Sequence, residues 1–312
     1  MKTAKRILTV ALALMLIFAL AAPSFAMSTS ASYVQNALSN APTETGVFNV
    51  NLSILSYSMG NSRIERYNLP VNVGTAGITD TYFVSDVLDA AQTQYSWLTF
   101  YSDIYTVLTG DSSYVYGVKD TSVSTTVFGR VPGYSGTHGW MFRINNRFPL
   151  LHQSDRPAGY NTSTMGPLGA TIDEAYVTAN QTVTLYYATT QSDSGCTRYM
   201  AADSAVFDSE DNTLSFDLYC SKSYYSTTPP YYYWYIKAFT IVPDNMSFDI
   251  YVNGTLYTES SEDGTIVIED ENLPIVTGSN SISVVPHETS YTYNGVTYGL
   301  PTYTGCYYKW TE

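Results

Sequence analysis

The clearest alternation of apolar and polar positions runs through Gly139-Trp140-Met141-Phe142-Arg143-Ile144-Asn145-Asn146-Arg147-Phe148. Trp140, Phe142 and Ile144 alternate with Met141, Arg143 and Asn145, which is the period of a half-buried strand. Asn145-Asn146 tolerates the positive φ of a tight turn, and the stretch from Val177 to Tyr187 reads as the closing partner strand. Earlier in the chain, Phe48, Val50, Leu52 and Ile54 alternate with Asn49, Asn51 and Ser53. Ser58 to Ser62 has turn chemistry, and Ile64 to Val71 returns as a second strand. The period then changes. Val84, Val87, Leu88 and Ala91 fall at helical spacing behind Asp80 or Thr81 as cap, predicting one short helix that needs a sheet to pack on. Strand, strand, helix and returning strands ending at Val183, Leu185 and Tyr187 predict an α+β domain of β-grasp type, with one helix on a mixed sheet.

From Ala205 onward every patterned segment is a strand. Ala205 to Phe207, Leu214 to Cys220, Tyr231 to Val242, Phe248 to Val252, Thr265 to Ile268, Ser281 to Val285 and Cys306 to Trp310 follow at short spacing. Turns such as Asn253-Gly254 and Gly278-Ser279-Asn280 separate them, and the pattern predicts an all-β, immunoglobulin-like sandwich. The division expected is a signal peptide over 1–26, a flexible arm over 27–46, a β-grasp domain over 47–190, a linker over 191–200 and the sandwich over 201–312.

Composition adds a location. Lys2, Lys5 and Arg6 precede the apolar run Ile7 to Ala22, and Ser24-Phe25-Ala26 has the small-x-small pattern of a cleavage site, so Met27 is the expected mature N-terminus. Without those three cations the chain holds 11 basic residues against 27 acidic ones, a net charge of −16. That argues against nucleic acid or an anionic lipid surface as partner, and no membrane insertion is expected after cleavage. Every remaining arginine precedes Tyr199, while the second half has only Lys222, Lys237 and Lys309 against 15 acidic residues. Thirty tyrosines suit β-structure facing water. The expected location is outside the cell or on the surface of a bacterium of Gram-positive type. Of Cys196, Cys220 and Cys306, three pairings are open, and the strand-like surroundings of Cys220 and Cys306 favour a disulfide between those two.

Three blocks carry a resemblance. Val84-Ser85-Asp86-Val87-Leu88-Asp89-Ala90-Ala91, then Gly139-Trp140-Met141-Phe142-Arg143-Ile144-Asn145, then Ala175-Tyr176-Val177 through Val183-Thr184-Leu185-Tyr186-Tyr187 resemble the bacterial extracellular transcobalamin C-terminal-like family, over about residues 47–190. The resemblance implies a β-grasp fold and an extracellular setting, and it brings corrinoids into view as a ligand class. Two features depart from the family pattern. Asn180-Gln181 stands where Gly-Asp is usual, and Pro149 to Glu174 is longer, carrying His152, Asp155, Arg156 and Tyr160. A shared fold does not carry a shared ligand. In the second half, Gly278 to Val284 looks like the late strand of a bacterial immunoglobulin-like surface module.

The site expected from the residues lies at the hairpin. Arg143, Arg147 and Arg156 offer guanidinium forks to an anionic group, Trp140 and Tyr160 offer faces for stacking, and Asn145 shares the face of Arg143. The competing reading makes Trp140, Phe142 and Ile144 core and lets the arginines balance an acidic surface. The aromatic run around Tyr224-Tyr225 and Tyr231 to Tyr235 divides in the same way between a binding surface and core. His138, His152 and His287 lack metal-ligand spacing, and His152 near Asp155 stands without a nucleophile motif. No metal, cofactor or catalytic residue is assigned. The expected function is a non-catalytic binding module for a small molecule such as a corrinoid, or for a glycan. The alternative is a structural or adhesive surface protein acting through protein–protein contacts.

Overall fold

The structure, a computed structural model, describes residues 26–27, 41–107, 110–135, 137–145, 147, 149, 151, 169–190, 198–226, 233–236, 239–285, 288–301, 303 and 305–312. Among these the chain is largely β, in several sheets, with a single helix. No described helix is long and apolar enough to cross a membrane.

The first half is built on a four-stranded mixed sheet. Its strands are β1 (Phe48–Leu55), β2 (Glu65–Val73), β5 (Thr137–Ile144) and β6 (Thr182–Thr190), in the order β5-β6-β1-β2. β1 and β6 run parallel at the centre, and the two outer pairs are antiparallel. Between β2 and β5 in sequence come the helix α1 (Val84–Gln94) and the hairpin β3 (Leu98–Val107) and β4 (Gly110–Asp120). The expected stripe Val84, Val87, Leu88 and Ala91 is the buried face of α1. It closes a core with Val50, Leu52, Ile54, Val183, Leu185, Tyr187, Trp140 and Ile144. Each such fully buried aliphatic side chain contributes about 1.5–3 kcal/mol, which a helix of three turns needs to persist.

The helix start differs from expectation. Phe83, not Asp80 or Thr81, occupies the cap position, and a phenyl ring accepts no hydrogen bond. The orphan N–H groups find other acceptors. Val84 N–H donates to Ala175 C=O at 3.0 Å and Ser85 N–H to Ile172 C=O at 2.9 Å. Asp86 reaches back to accept from Phe83 N–H at 2.7 Å, the reciprocal half of a capping box. Burial raises the Asp86 carboxyl above its ordinary range. The arm expected over 27–46 is tied down at its far end, where Glu44–Thr45 pairs with Thr79–Asp80 and the Glu44 carboxylate accepts from Ala179 N–H at 2.9 Å. Ala26–Met27 pairs with Phe239–Ile241.

The second half holds two antiparallel sheets around one core. β7 (Arg198–Asp208) pairs with the first ten residues, Thr213 to Lys222, of β8 (Thr213–Ser226). On its other side β8 is met in turn by β11 (Thr265–Glu269), Phe239–Ile241 and Tyr233–Ile236. Within the single strand expected from Tyr231 to Val242, the described residues Tyr233–Ile236 and Phe239–Ile241 are strand. The facing sheet has the order β10-β9-β12-β15, from β9 (Ser247–Val252), β10 (Thr255–Ser260), β12 (Ser279–Val285) and β15 (Cys306–Thr311). Leu214, Phe216, Leu218, Phe248, Ile250, Val252, Ile266, Ile282 and Val284 fill the space between. Asn253 and Gly254 take the positive φ expected of their turn, 47° and 91°.

One hairpin of the second half is absent from the expected strands. β13 (Glu288–Tyr293) and β14 (Val296–Pro301) turn at Asn294-Gly295, with φ of 49° and 77°, and β14 pairs with Ser58–Met59 of the first half. Tyr298 and Leu300 are buried in the first core, although they follow most of the second half in sequence.

Candidate functional site

The hairpin turn forms where the alternation places it. Asn145 has φ 50°, and Ile144 and Arg147 exchange backbone bonds across it. The partner strand is β6, with Trp140 opposite Tyr187 and Arg143 opposite Thr184. Val177, expected to open the same strand, pairs with Tyr82 instead, because the turn at Thr178 to Gln181 intervenes with Asn180 at φ 64°.

The two faces of β5 have separate fates. Trp140 is 6% exposed and packs edge-on against Tyr187 at 5.7 Å, with its indole N–H donating to Phe128 C=O at 2.8 Å. It belongs to the core of the first half and offers no stacking face to a ligand. The opposite face carries Arg143, which is 1% exposed and the largest fully buried side chain described. Nη1 donates to Met200 C=O at 2.7 Å and Nη2 to Gly305 C=O at 2.6 Å, both in the second half. The guanidinium also lies 5.7 Å from the centre of the Tyr186 ring. Ser53, Leu55, Thr184, Tyr186 and Ala188 share this face of the sheet and are buried with it. Tyr67 stacks on Tyr307 at 5.9 Å across the same junction, and Thr189 Oγ1 donates to Pro301 C=O at 2.9 Å.

The expected ligand set therefore does not converge. Trp140 and Arg143 lie on opposite sides of one sheet. Asn145 is spent on the turn, its side-chain oxygen accepting from Thr182 N–H at 2.8 Å. Arg147 is exposed beside that turn. Arg156 and Tyr160 lie outside the described residues, as do His152, Asp155 and His287 and the side chains of the Tyr224 to Tyr235 run.

The expected disulfide is corrected as well. Cys220 and Cys306 are separate buried thiols. Cys220 lies opposite Met200 in one sheet, and its sulfur is 3.9 Å from Ile241 C=O. Cys306 opens a strand of the facing sheet, opposite Val284, and its thiol meets the backbone of Ala202. Each sulfur is committed to a different backbone group. Burial pushes the Cys306 thiol up to about 12, against the opposing pull of Arg143, so it stays protonated and is no nucleophile at neutral pH.

Two other polar groupings have chemistry in their residue types. His138 Nδ1 is hydrogen-bonded to the Tyr187 hydroxyl, with Tyr134 edge-on at 5.1 Å. Burial lowers the His138 pKa, with the Arg130 charge adding to the effect, and burial raises that of Tyr187. A neutral imidazole wedged among tyrosines is a packing element here. Arg66 donates from Nε to Asp120 at 2.8 Å and from Nη2 to Ser122 Oγ at 2.5 Å, while its guanidinium lies 5.1 Å from the Trp97 ring. That pair ties β2 to the end of β4. Among the described residues no group of three or more His, Cys, Asp or Glu is placed to hold a metal ion.

The residues that sequence reasoning missed are those of the junction: Met200, Gly305, Tyr186 and the hairpin β13–β14. Asn294-Gly295 between alternating tyrosines was a legible hairpin signal, but nothing local says that such a hairpin docks on Ser58–Met59. Comparison of the chain with protein-family models, with curated proteins and with solved structures returns no match in any of the three.

Proposed function

We propose that this chain is an exported, non-catalytic bacterial surface protein that acts through protein–protein contacts. In this reading its first half is a β-grasp-like module of the transcobalamin C-terminal-like kind, and its second half is an immunoglobulin-like sandwich. The first assignment is supported by the sheet order β5-β6-β1-β2, its parallel central pair and the helix that follows the second strand. Two antiparallel sheets around one core support the second.

The observation that carries the functional reading is the burial of Arg143. The face that offered guanidinium and amide groups to a small ligand is filled by the chain's own second half. Recognition then falls to the outer surfaces, where Tyr114, Tyr116 and Tyr293 are exposed aromatics of the kind that anchor protein interfaces. The test presents the mature protein to corrinoids, to a glycan panel and to cell-wall protein fractions. The expected result is retention on a protein fraction, weakened by Tyr114→Ser with Tyr116→Ser, and no corrinoid binding. Stoichiometric corrinoid binding that a folded Arg143→Ala variant abolishes would overturn the proposal in favour of a small-ligand module.

A further inference from the structure

We infer that the hairpin β13–β14 is a strap through which the second half completes the fold of the first, so that the first half is not an independent folding unit. Both roots of the strap are anchored in the sandwich, through Val284 before it and Tyr303 and Cys306 after it. Its body serves the other core. Tyr298 and Leu300 are buried there, with the Tyr298 ring 6.0 Å from that of Tyr57, which in turn contacts Tyr187 at 4.5 Å and Phe128 at 5.5 Å. On the outer strand Tyr291 meets Tyr134 edge-on at 5.4 Å, and the Tyr293 ring occupies the space a side chain at Gly133 would need. Without the strap these aromatic rings of the first half would face water, and the loss of their burial bears directly on its stability.

The strap is also held by a specific polar latch. β14 continues the backbone pairing onto Ser58–Met59, and Gly60 N–H donates to Thr297 C=O at 2.7 Å. The Glu288 carboxylate takes an ion pair from Arg63 at 2.9 Å and a hydrogen bond from Ser58 Oγ at 2.6 Å. It lies directly over Gly299, where a Cβ would collide with Glu288 Oε2. A side chain at 299 would therefore have to push the carboxylate from its seat and press on Ser58 Cβ, so glycine there keeps the latch in place. Arg143 adds a second tie at the other end of the junction. A division of the chain at 191–200 therefore cuts through one core, because part of that core arrives a hundred residues later.

The full-length mature protein tests this by hydrogen exchange followed through a urea series, reading β1 and β9 as reporters of the two halves. The expected result is loss of protection in β1 and β9 at one common midpoint. Glu288→Gln, which keeps the shape and removes the charge, should lower the β1 midpoint measurably, and Gly299→Val, which displaces the carboxylate, by about 1 M or more. Thr292→Ala, on the exposed side of the strap, should leave it unchanged. Should Gly299→Val not fold, Glu288→Gln and the wild type decide. Protection of β1 that outlives that of β9 in the wild type overturns the inference, as does a β1 midpoint that neither latch variant moves.

Discussion

Replacing Arg143 by Met keeps an unbranched apolar stem and removes the charge and all its donors. The structure gives the magnitude. Two hydrogen bonds from a charged group to backbone carbonyls, at 2.7 and 2.6 Å, disappear, and such bonds contribute about 1.5–3 kcal/mol each. Against that loss of roughly 3–6 kcal/mol stands the relief of no longer burying a guanidinium, an offset of several kcal/mol. The net expectation for Arg143→Met is a destabilisation of about 2 kcal/mol. Arg143→Ala also gives up the packing of the side-chain stem, at about 0.8 kcal/mol per methylene, and should cost about 4 kcal/mol. Arg143→Lys falls between wild type and Ala, because one ammonium cannot reproduce a fork that spans two carbonyls. Urea denaturation monitored by circular dichroism reads all three. If Arg143 served an external ligand instead, truncation would shift stability by no more than about 0.5 kcal/mol, the ordinary range for a surface position. Folded Met and Ala variants within that limit would mean that the junction does not depend on Arg143.

Three further outcomes are expected. Arg66→Met strands the buried Asp120 carboxylate, whose side chain is fully enclosed while that of Arg66 is 30% exposed, and should destabilise by about 2–3 kcal/mol in the same assay, with Arg66→Met/Asp120→Leu recovering part of the loss. In a Cys196→Ser background, native protein should not react with a chromogenic thiol reagent at mildly alkaline pH, whereas denatured protein should show two thiols; none in either state would mean that Cys220 and Cys306 are joined after all. The His138 pKa is lowered from 6.5 on folding, so the unfolded chain binds more protons just below that value and stability should fall as pH drops through it. The difference between wild type and His138→Gln, measured between about pH 7.5 and 5.5, isolates this contribution from other groups, and a pH-independent difference would show that His138 titrates alike in both states.

What was readable along the chain was what depends on neighbours in sequence. The stripe of α1 emerged because Val84, Val87, Leu88 and Ala91 lie on one side of any helix, wherever that helix sits. The turn at Asn145 emerged because asparagine accepts positive φ. The cap was misread because its acceptors are the carbonyls of Ile172 and Ala175, far along the chain, where Asp80 and Thr81 offered only local candidates. The disulfide was misread because strand-like surroundings say nothing about where two sulfurs point.

Order along the chain was enough to place β1, β2, β5, β6 and most strands of the second half, the stripe of the one helix, the turns at Asn145 and Asn253, and the division of β5 into two chemically different faces. That information is periodic and local, and the backbone must obey it before any tertiary contact forms. What each face meets was settled by packing between distant parts of the chain. A polar face holding an arginine reads the same whether it borders solvent, a ligand or another part of the chain, and here its partners are 57 and 162 residues away. The strap carries the same lesson: its turn is written in Asn294-Gly295, but its seat on Ser58–Met59 follows from burying Tyr298 and Leu300, a choice made by the assembled core and not by the hairpin.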